Sequence, residues 1–206
     1  MHSSYNSPSQ KIYNGDIVAG SLLIPESRKI VRLLLDNADK KEWYQAIMVD
    51  NILQKKSPAT AKRQTQLIRK RLELMQPEFW KIIDISSADV VIQCLLAASI
   101  KQSRLLGDYM DKVMGEHWRT FKRCLTHNDW NDFLEMCSQV DPVVDSWSTS
   151  TQEKLKQVIF RILAESKYLD SSRKLNMLPV ALIPEVKEYL VNNDEKYVLR
   201  CMEITQ

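Results

Sequence analysis

Ser87-Ala-Asp-Val-Val-Ile-Gln-Cys-Leu-Leu-Ala-Ala-Ser-Ile100 is the stretch whose reading decides the fold. Ser87 supplies a helix cap. Neither glycine nor proline interrupts the segment from Ala88 to Ile100, and Val90, Val91, Leu95, Leu96 and Ile100 leave little polar face. A helix apolar nearly all round belongs at the centre of a molecule. Val90 to Ile100 is the longest apolar run without charge, 11 residues, whereas a membrane span needs about 20. The run is therefore read as a core helix, not a bilayer one.

The segments on either side carry the helical period. Pro25, suited to a first helical position, starts a helix through Ile30, Leu33 and Leu34. Asp39 with Glu42 forms a capping box before Trp43, Ala46, Ile47 and Leu53. Gln54 to Pro58 breaks that helix, and Ser57-Pro58 restarts the chain in a helix reaching about Met75. A further helix runs through Phe79, Trp80 and Ile83. Beyond the central helix, Gly107 reads as a kink or end. Met110, Val113, Met114, Trp118 and Phe121 then share a helix face, and Trp130, Phe133, Leu134 and Cys137 share another. Asp141 to Ser150 reads as a linker. Ser150 and Glu153 form a capping box for a helix with Leu155, Val158, Ile159, Ile162 and Leu163. Residues 174–183 alternate weakly around Pro179, as a short β-ribbon or an extended loop. Pro184 starts a helix to about Val191, and Tyr197 to Met202 forms the last.

Composition agrees with an all-α, multi-helix globular fold. The chain has 206 residues, 44% hydrophobic and 27% charged, with only 4 glycines and 7 prolines. That is too few turn formers for a β-sandwich or a glycine-rich nucleotide loop. The expected organisation is a polar N-terminal tail over 1–20, a basic helical subdomain over 21–82, a central core over 83–140 and a C-terminal helical unit over 151–206. The tail lacks an apolar signal core, and Cys94, Cys124, Cys137 and Cys201 show no paired C-x-x-C spacing. The expectation is a cytoplasmic chain with four buried thiols and no disulfide.

Net charge is +3 but unevenly spread. Residues 1–82 carry 14 Lys/Arg against 8 Asp/Glu, and residues 83–206 carry 15 against 18. Lys55, Lys56, Lys62, Arg63, Arg69, Lys70 and Arg71 form an acid-free run, a field that attracts a polyanion. At 100° per residue, Ala61, Ile68, Leu72 and Met75 line one face of the helix after Ser57. Lys62, Arg63, Gln66, Arg69 and Lys70 line the opposite face, with Ala59 near its middle. Preceded by a shorter amphipathic helix, this resembles a helix-turn-helix, whose second helix enters the major groove. Lys55, Lys56 and Ser57 would then meet phosphates, while Thr60, Lys62 and Arg63 reach base edges. The plain alternative is a solvated basic face on a surface helix. A second, weaker candidate is Thr151 to Lys167 with Arg173 and Lys174, a helix and ribbon like the end of a winged helix.

Catalytic patterns are poor. His2 lies in the tail. Cys124 and His127 have the spacing of half a zinc site, with Cys137 ten residues further on, but no fourth ligand is evident. Asp108/Asp111 and Asp129/Asp132 read as solvated helix faces. No phosphate-binding loop, nucleophile elbow or H-E-x-x-H motif is present. Neither a metal, a cofactor nor an enzymatic activity is expected. The five tryptophans fall at helical spacing and read as core.

Five segments follow one another along nearly the whole chain: Gly20-Ser-Leu-Leu-Ile-Pro-Glu-Ser-Arg-Lys-Ile30, Asn51-Ile-Leu-Gln-Lys-Lys-Ser-Pro-Ala-Thr-Ala-Lys-Arg63, Ile100-Lys-Gln-Ser-Arg-Leu-Leu-Gly-Asp108, Lys156 to Glu165 and Tyr197 to Glu203. Together they resemble the BrxA family of bacterial BREX phage-exclusion systems. The resemblance implies a soluble, mostly helical antiviral-defence protein without known enzymatic activity, acting with other BREX components. It also implies an overall helical shape similar to the antitermination factor NusB, a nucleic-acid binder. The expectation is a monomer that contacts duplex DNA mainly through phosphates. The alternative is an assembly factor whose basic face meets an acidic BREX protein.

Overall fold

In the computed structural model, which describes residues 12–204, the central helix sits where its composition puts it. This helix, Ala88–Gln102, buries 11 of its 15 residues, polar Gln93, Ser99 and Gln102 included. The elements before it are α1 (Ile24–Leu35), α2 (Lys40–Tyr44, running on through a π-helical turn, Gln45–Val49), α3 (Pro58–Leu72) and α4 (Pro77–Ile85). With the central helix as α5, α6 (Arg104–Asp108) comes next, then a π-helical segment, Tyr109–Met114, and α7 (Gly115–Arg119). The chain ends in α8 (His127–Val140), α9 (Thr149–Glu165), α10 (Pro184–Asn192) and α11 (Lys196–Met202). The described residues contain no β-sheet, and no helix among them is long and apolar enough to cross a membrane.

Burial explains why α5 stays satisfied. Gln93 donates from Nε2 to the Ala181 carbonyl at 2.9 Å and accepts from the Ile183 N–H at 2.8 Å. A buried amide with both ends paired costs little, and it pins the extended segment before α10. Residues 174–183 are thus an extended loop. Their ladder contacts are two isolated bridges, Cys124 with Asn176 and Leu169 with Met177.

Several boundaries differ from the sequence reading. The break after α5 falls at Ser103, whose extended backbone stops the helix and whose Oγ caps α6. Gly107 neither kinks nor ends a helix. A Cβ there would lie 2.3 Å from the Tyr197 hydroxyl, so the glycine lets α11 approach α6. Asp141 to Ser150 is no loose linker: Asp141 and Val144 are buried, and Pro142–Ser146 forms a 3₁₀ turn. The cap of α9 is Ser148, accepting from the Thr151 N–H, and not Ser150. The Asp39–Glu42 capping box of α2 is present with both halves formed.

The tail expected over 1–20 does not describe residues 12–20, and Tyr5 and His2 lie outside the described residues. A 3₁₀ turn over Asp16–Ala19 buries Ile17. The Ile12 and Tyr13 N–H groups donate to Asp141 Oδ2 at 2.7 and 3.0 Å. The Tyr13 hydroxyl donates to Asp108 Oδ2 at 2.8 Å. Asp108 is the hub of that packing, contrary to its reading as a solvated carboxylate. Its side chain is 2% exposed and also accepts from the Tyr197 hydroxyl at 2.8 Å. Arg104 at 2.9 Å and Lys112 at 3.1 Å neutralise it from one turn either side.

Candidate nucleic-acid interface

The candidate face is built on the start of α3. Ser57 has extended backbone, and its Oγ accepts from the Thr60 N–H at 3.3 Å, with Pro58 at the first helical position. Ahead of it the chain turns through two residues with left-handed backbone, Asn51 and Gln54. The Asn51 side chain clasps the Lys55 backbone, accepting from its N–H at 2.9 Å and donating to its carbonyl at 3.0 Å. Lys29 Nζ donates to the Ile52 carbonyl at 2.6 Å. Residues 50–57 therefore join the two helices in a fixed conformation. The connection is longer than the 3–4-residue turn of a helix-turn-helix.

The helix presents two faces. Ala61, Ile68 and Leu72 are buried, joined by Leu67 and Thr65, and Met75 is buried beyond the helix end. Lys62, Arg63, Gln66 and Lys70 are exposed on the other side, with Arg69 half-buried beside them. Thr60 and Ser57 are half-buried at the helix start.

The cations are not equivalent. Lys55, partly buried, pairs with Glu26, and Lys70 pairs with Asp16. Arg69 reaches Glu73 at 2.6 Å while its guanidinium lies over the Trp43 ring at 4.4 Å. Arg71 is a structural residue, 3% exposed, and it donates to the carbonyls of Ser21 at 2.6 Å and Gly20 at 3.1 Å. Burial pushes its pKa down to about 10, opposed by the nearby Glu165 carboxylate, so it stays charged at neutral pH. Lys56, Lys62 and Arg63 form no ion pair among the described residues.

The residues considered for other chemistry are placed apart or already engaged. Cys124 is exposed, contrary to the expectation of four buried thiols, while Cys94, Cys137 and Cys201 are buried. Burial pushes the Cys137 thiol up to about 11, a poor state for metal ligation. Asp129 closes the capping box of α8 by accepting from the Thr126 N–H and faces His117 at 3.1 Å, and Asp111 pairs with Arg200. No group of three or more His, Cys, Asp or Glu among the described residues is arranged to hold a metal ion.

Sequence periodicity misplaced one aromatic. Phe121, read on the apolar face of the helix through Trp118, stands just beyond α7 and is 83% exposed. Its backbone is left-handed, the conformation in which helices commonly end at glycine. No periodicity signal marks such a position, because it depends on where the helix stops.

The described residues define a small helical protein with a capped basic helix, α3, on its surface. A family model described as BrxA matches residues 11–194, and the chain belongs to the BrxA family. A protein named BREX protein BrxA from Paramagnetospirillum magneticum is 43% identical over 193 residues, 94% of this chain and 97% of that one. One of the same name from Escherichia coli is 34% identical, covering 94% of this chain and 91% of its own length. A crystal structure described as an uncharacterized protein from Magnetospirillum magneticum superposes with a TM-score of 0.86 at 41% identity. That match covers 94% of this chain and 99% of the other.

Proposed function

We propose that this chain is a BREX component that contacts duplex DNA through the exposed face of α3, without catalysing a reaction itself. The observation that carries the reading is that three cations at the start of α3, Lys56, Lys62 and Arg63, form no ion pair among the described residues. They stand at the capped start of a helix whose other face is anchored in the core. Thr60 and Gln66 flank them and offer hydrogen bonds to backbone or base edges. Lys70 is held only by an exposed ion pair, and Arg69 by an exposed ion pair and the face of the Trp43 ring. Such pairs are worth about 0–1 kcal/mol, so phosphate can take over both cations. Lys55 is more deeply held by Glu26 and acts by fixing the helix start, together with Ser57.

The reading has a quantitative consequence. Each phosphate neutralised on a duplex adds about −0.9 to the slope of log K against log salt. Three contacts give a slope near −3, and recruitment of Arg69 and Lys70 brings it to about −4.5. Fluorescence anisotropy of a labelled duplex against the purified chain measures it. Absence of binding at low salt, or a flat salt response, refutes the proposal. A pull-down in which the isolated chain ignores DNA but captures an acidic BREX protein through the same face would replace it with an assembly role.

A further inference from the structure

A second cationic surface lies away from α3, on two loops that are distant in sequence. The isolated bridge between Cys124 and Asn176 sets residues 121–127 antiparallel to residues 173–178. The Met177 N–H donates to the Arg123 carbonyl at 2.8 Å, and the Leu125 N–H to the Leu175 carbonyl at 3.0 Å. This pairing brings His127 beside Arg173 at one end, where with Arg161 and Lys156 they line an open cleft of about 520 Å³. At the other end stand Phe121, Lys122 and Arg123. Lys122, Arg123, Arg161, Arg173 and Lys174 are exposed and form no ion pair among the described residues. The acid in the cleft, Glu153, is taken by Lys156 at 2.7 Å.

Phe121 is the unexplained residue of this surface. Exposure of its ring and left-handed backbone both count against phenylalanine, since glycine suits that helix-terminal position better. Arg123 lies over the Trp118 ring at 3.8 Å and within 5.6 Å of the Phe121 ring. Phe121 therefore stands bare in solvent beside a guanidinium that already covers the Trp118 ring. One bare ring is too little apolar area to hold a lipid surface, and a polar cleft lacks the hydrophobic centre of a protein interface. A planar base with a phosphate on either side matches both features.

We infer that this surface binds single-stranded nucleic acid, with a base stacked on Phe121 and the backbone led toward Arg161 and Arg173. Residues 121 to 127, at about 3.3 Å each, span at most about 20 Å, room for a few nucleotides. The site shares no element with the α3 face and does not depend on it.

Anisotropy of a fluorescein-labelled oligothymidylate of about 12 nucleotides, with the full chain at low salt, tests this. A base–aromatic stack is worth about 1–3 kcal/mol, so Phe121→Gly should weaken binding about 5- to 150-fold. Its melting temperature should match or exceed that of the wild type, and Phe121→Trp should keep the affinity. Arg161→Ala with Arg173→Ala should flatten the salt slope by about 1.4, at 0.7 per contact on a single strand. Lys56→Ala with Lys62→Ala and Arg63→Ala should leave oligothymidylate binding intact, which separates this site from the α3 reading. Wild-type protein that ignores the oligonucleotide overturns the inference. So does Phe121→Gly binding as wild type, loss of single-strand binding in the α3 variant, or Phe121-dependent binding to phosphatidylserine vesicles in place of DNA.

Discussion

Replacing Asp108 with alanine removes the acceptor that joins the first described residues to α6 and α11. Two hydroxyls lose a charged acceptor, Tyr13 and Tyr197, each 2.8 Å away. A hydrogen bond to a charged group contributes about 1.5–3 kcal/mol. Arg104 and Lys112 are 45% and 39% exposed and can turn to water, so their share is small. The expected loss is about 3–5 kcal/mol, the range for breaking a buried charged contact. In a chain of this size that is a drop in melting temperature of roughly 6–20 °C. The pH dependence adds a second signature. Burial alone would raise the Asp108 pKa, but donation from Tyr197 and Tyr13 and the Lys112 charge outweigh it, and the net shift is downward. A carboxylate with a depressed folded pKa stabilises above its unfolded value near 3.9, and that stability is lost as pH falls through the folded value. The gap between wild type and Asp108→Asn should therefore be full at neutral pH and shrink below about pH 4. Thermal melts by circular dichroism across that range provide the assay. A gap under about 2 °C for Asp108→Ala, or one that does not narrow in acid, refutes the reasoning.

Other perturbations separate structural from binding residues. Ser57→Ala removes the cap of α3 and should cost about 1 kcal/mol with only a modest loss of DNA affinity, read from a denaturant titration and anisotropy together. Gly107→Ala drives a methyl group against the Tyr197 hydroxyl and should displace it from Asp108. The expected destabilisation is about 1–3 kcal/mol, and it should largely vanish in a Tyr197→Ala background. Arg71→Ala should destabilise the chain by about 3 kcal/mol or more, because it strips the Ser21 and Gly20 carbonyls of their donor. The remaining folded fraction should bind DNA with an unchanged salt slope, since Arg71 faces the core and not the surface.

Much of this architecture rests on patterns that a sequence displays openly. Ser57-Pro58 and Asp39 with Glu42 mark helix starts because capping chemistry is local. The apolar run of α5 identifies the core because burial is all-round. What stays hidden depends on contacts between distant residues. Asp108 looks like a surface carboxylate until Tyr13 and Tyr197 close over it, and Gly107 looks like a helix breaker until α11 needs the space. The basic face of α3 is legible as a run of cations. Their division into free and engaged is not, because Glu26, Asp16 and the Ser21 carbonyl come from segments that only folding brings near. Phe121 and Arg173 come to opposite ends of one surface through a bridge between residues 124 and 176 that no spacing rule encodes.

The most direct test of the central claim compares salt dependence of duplex binding in the wild type and in Lys56→Ala, Lys62→Ala, Arg63→Ala. All three side chains lack an ion pair among the described residues, and alanine keeps or raises helix propensity, so the fold should survive with an unchanged melting temperature. If they hold phosphates, the slope of log K against log salt should flatten by about 2.7, at 0.9 per contact. A folded triple variant that retains the wild-type slope and affinity would contradict the account and leave the exposed face of α3 as a solvated surface.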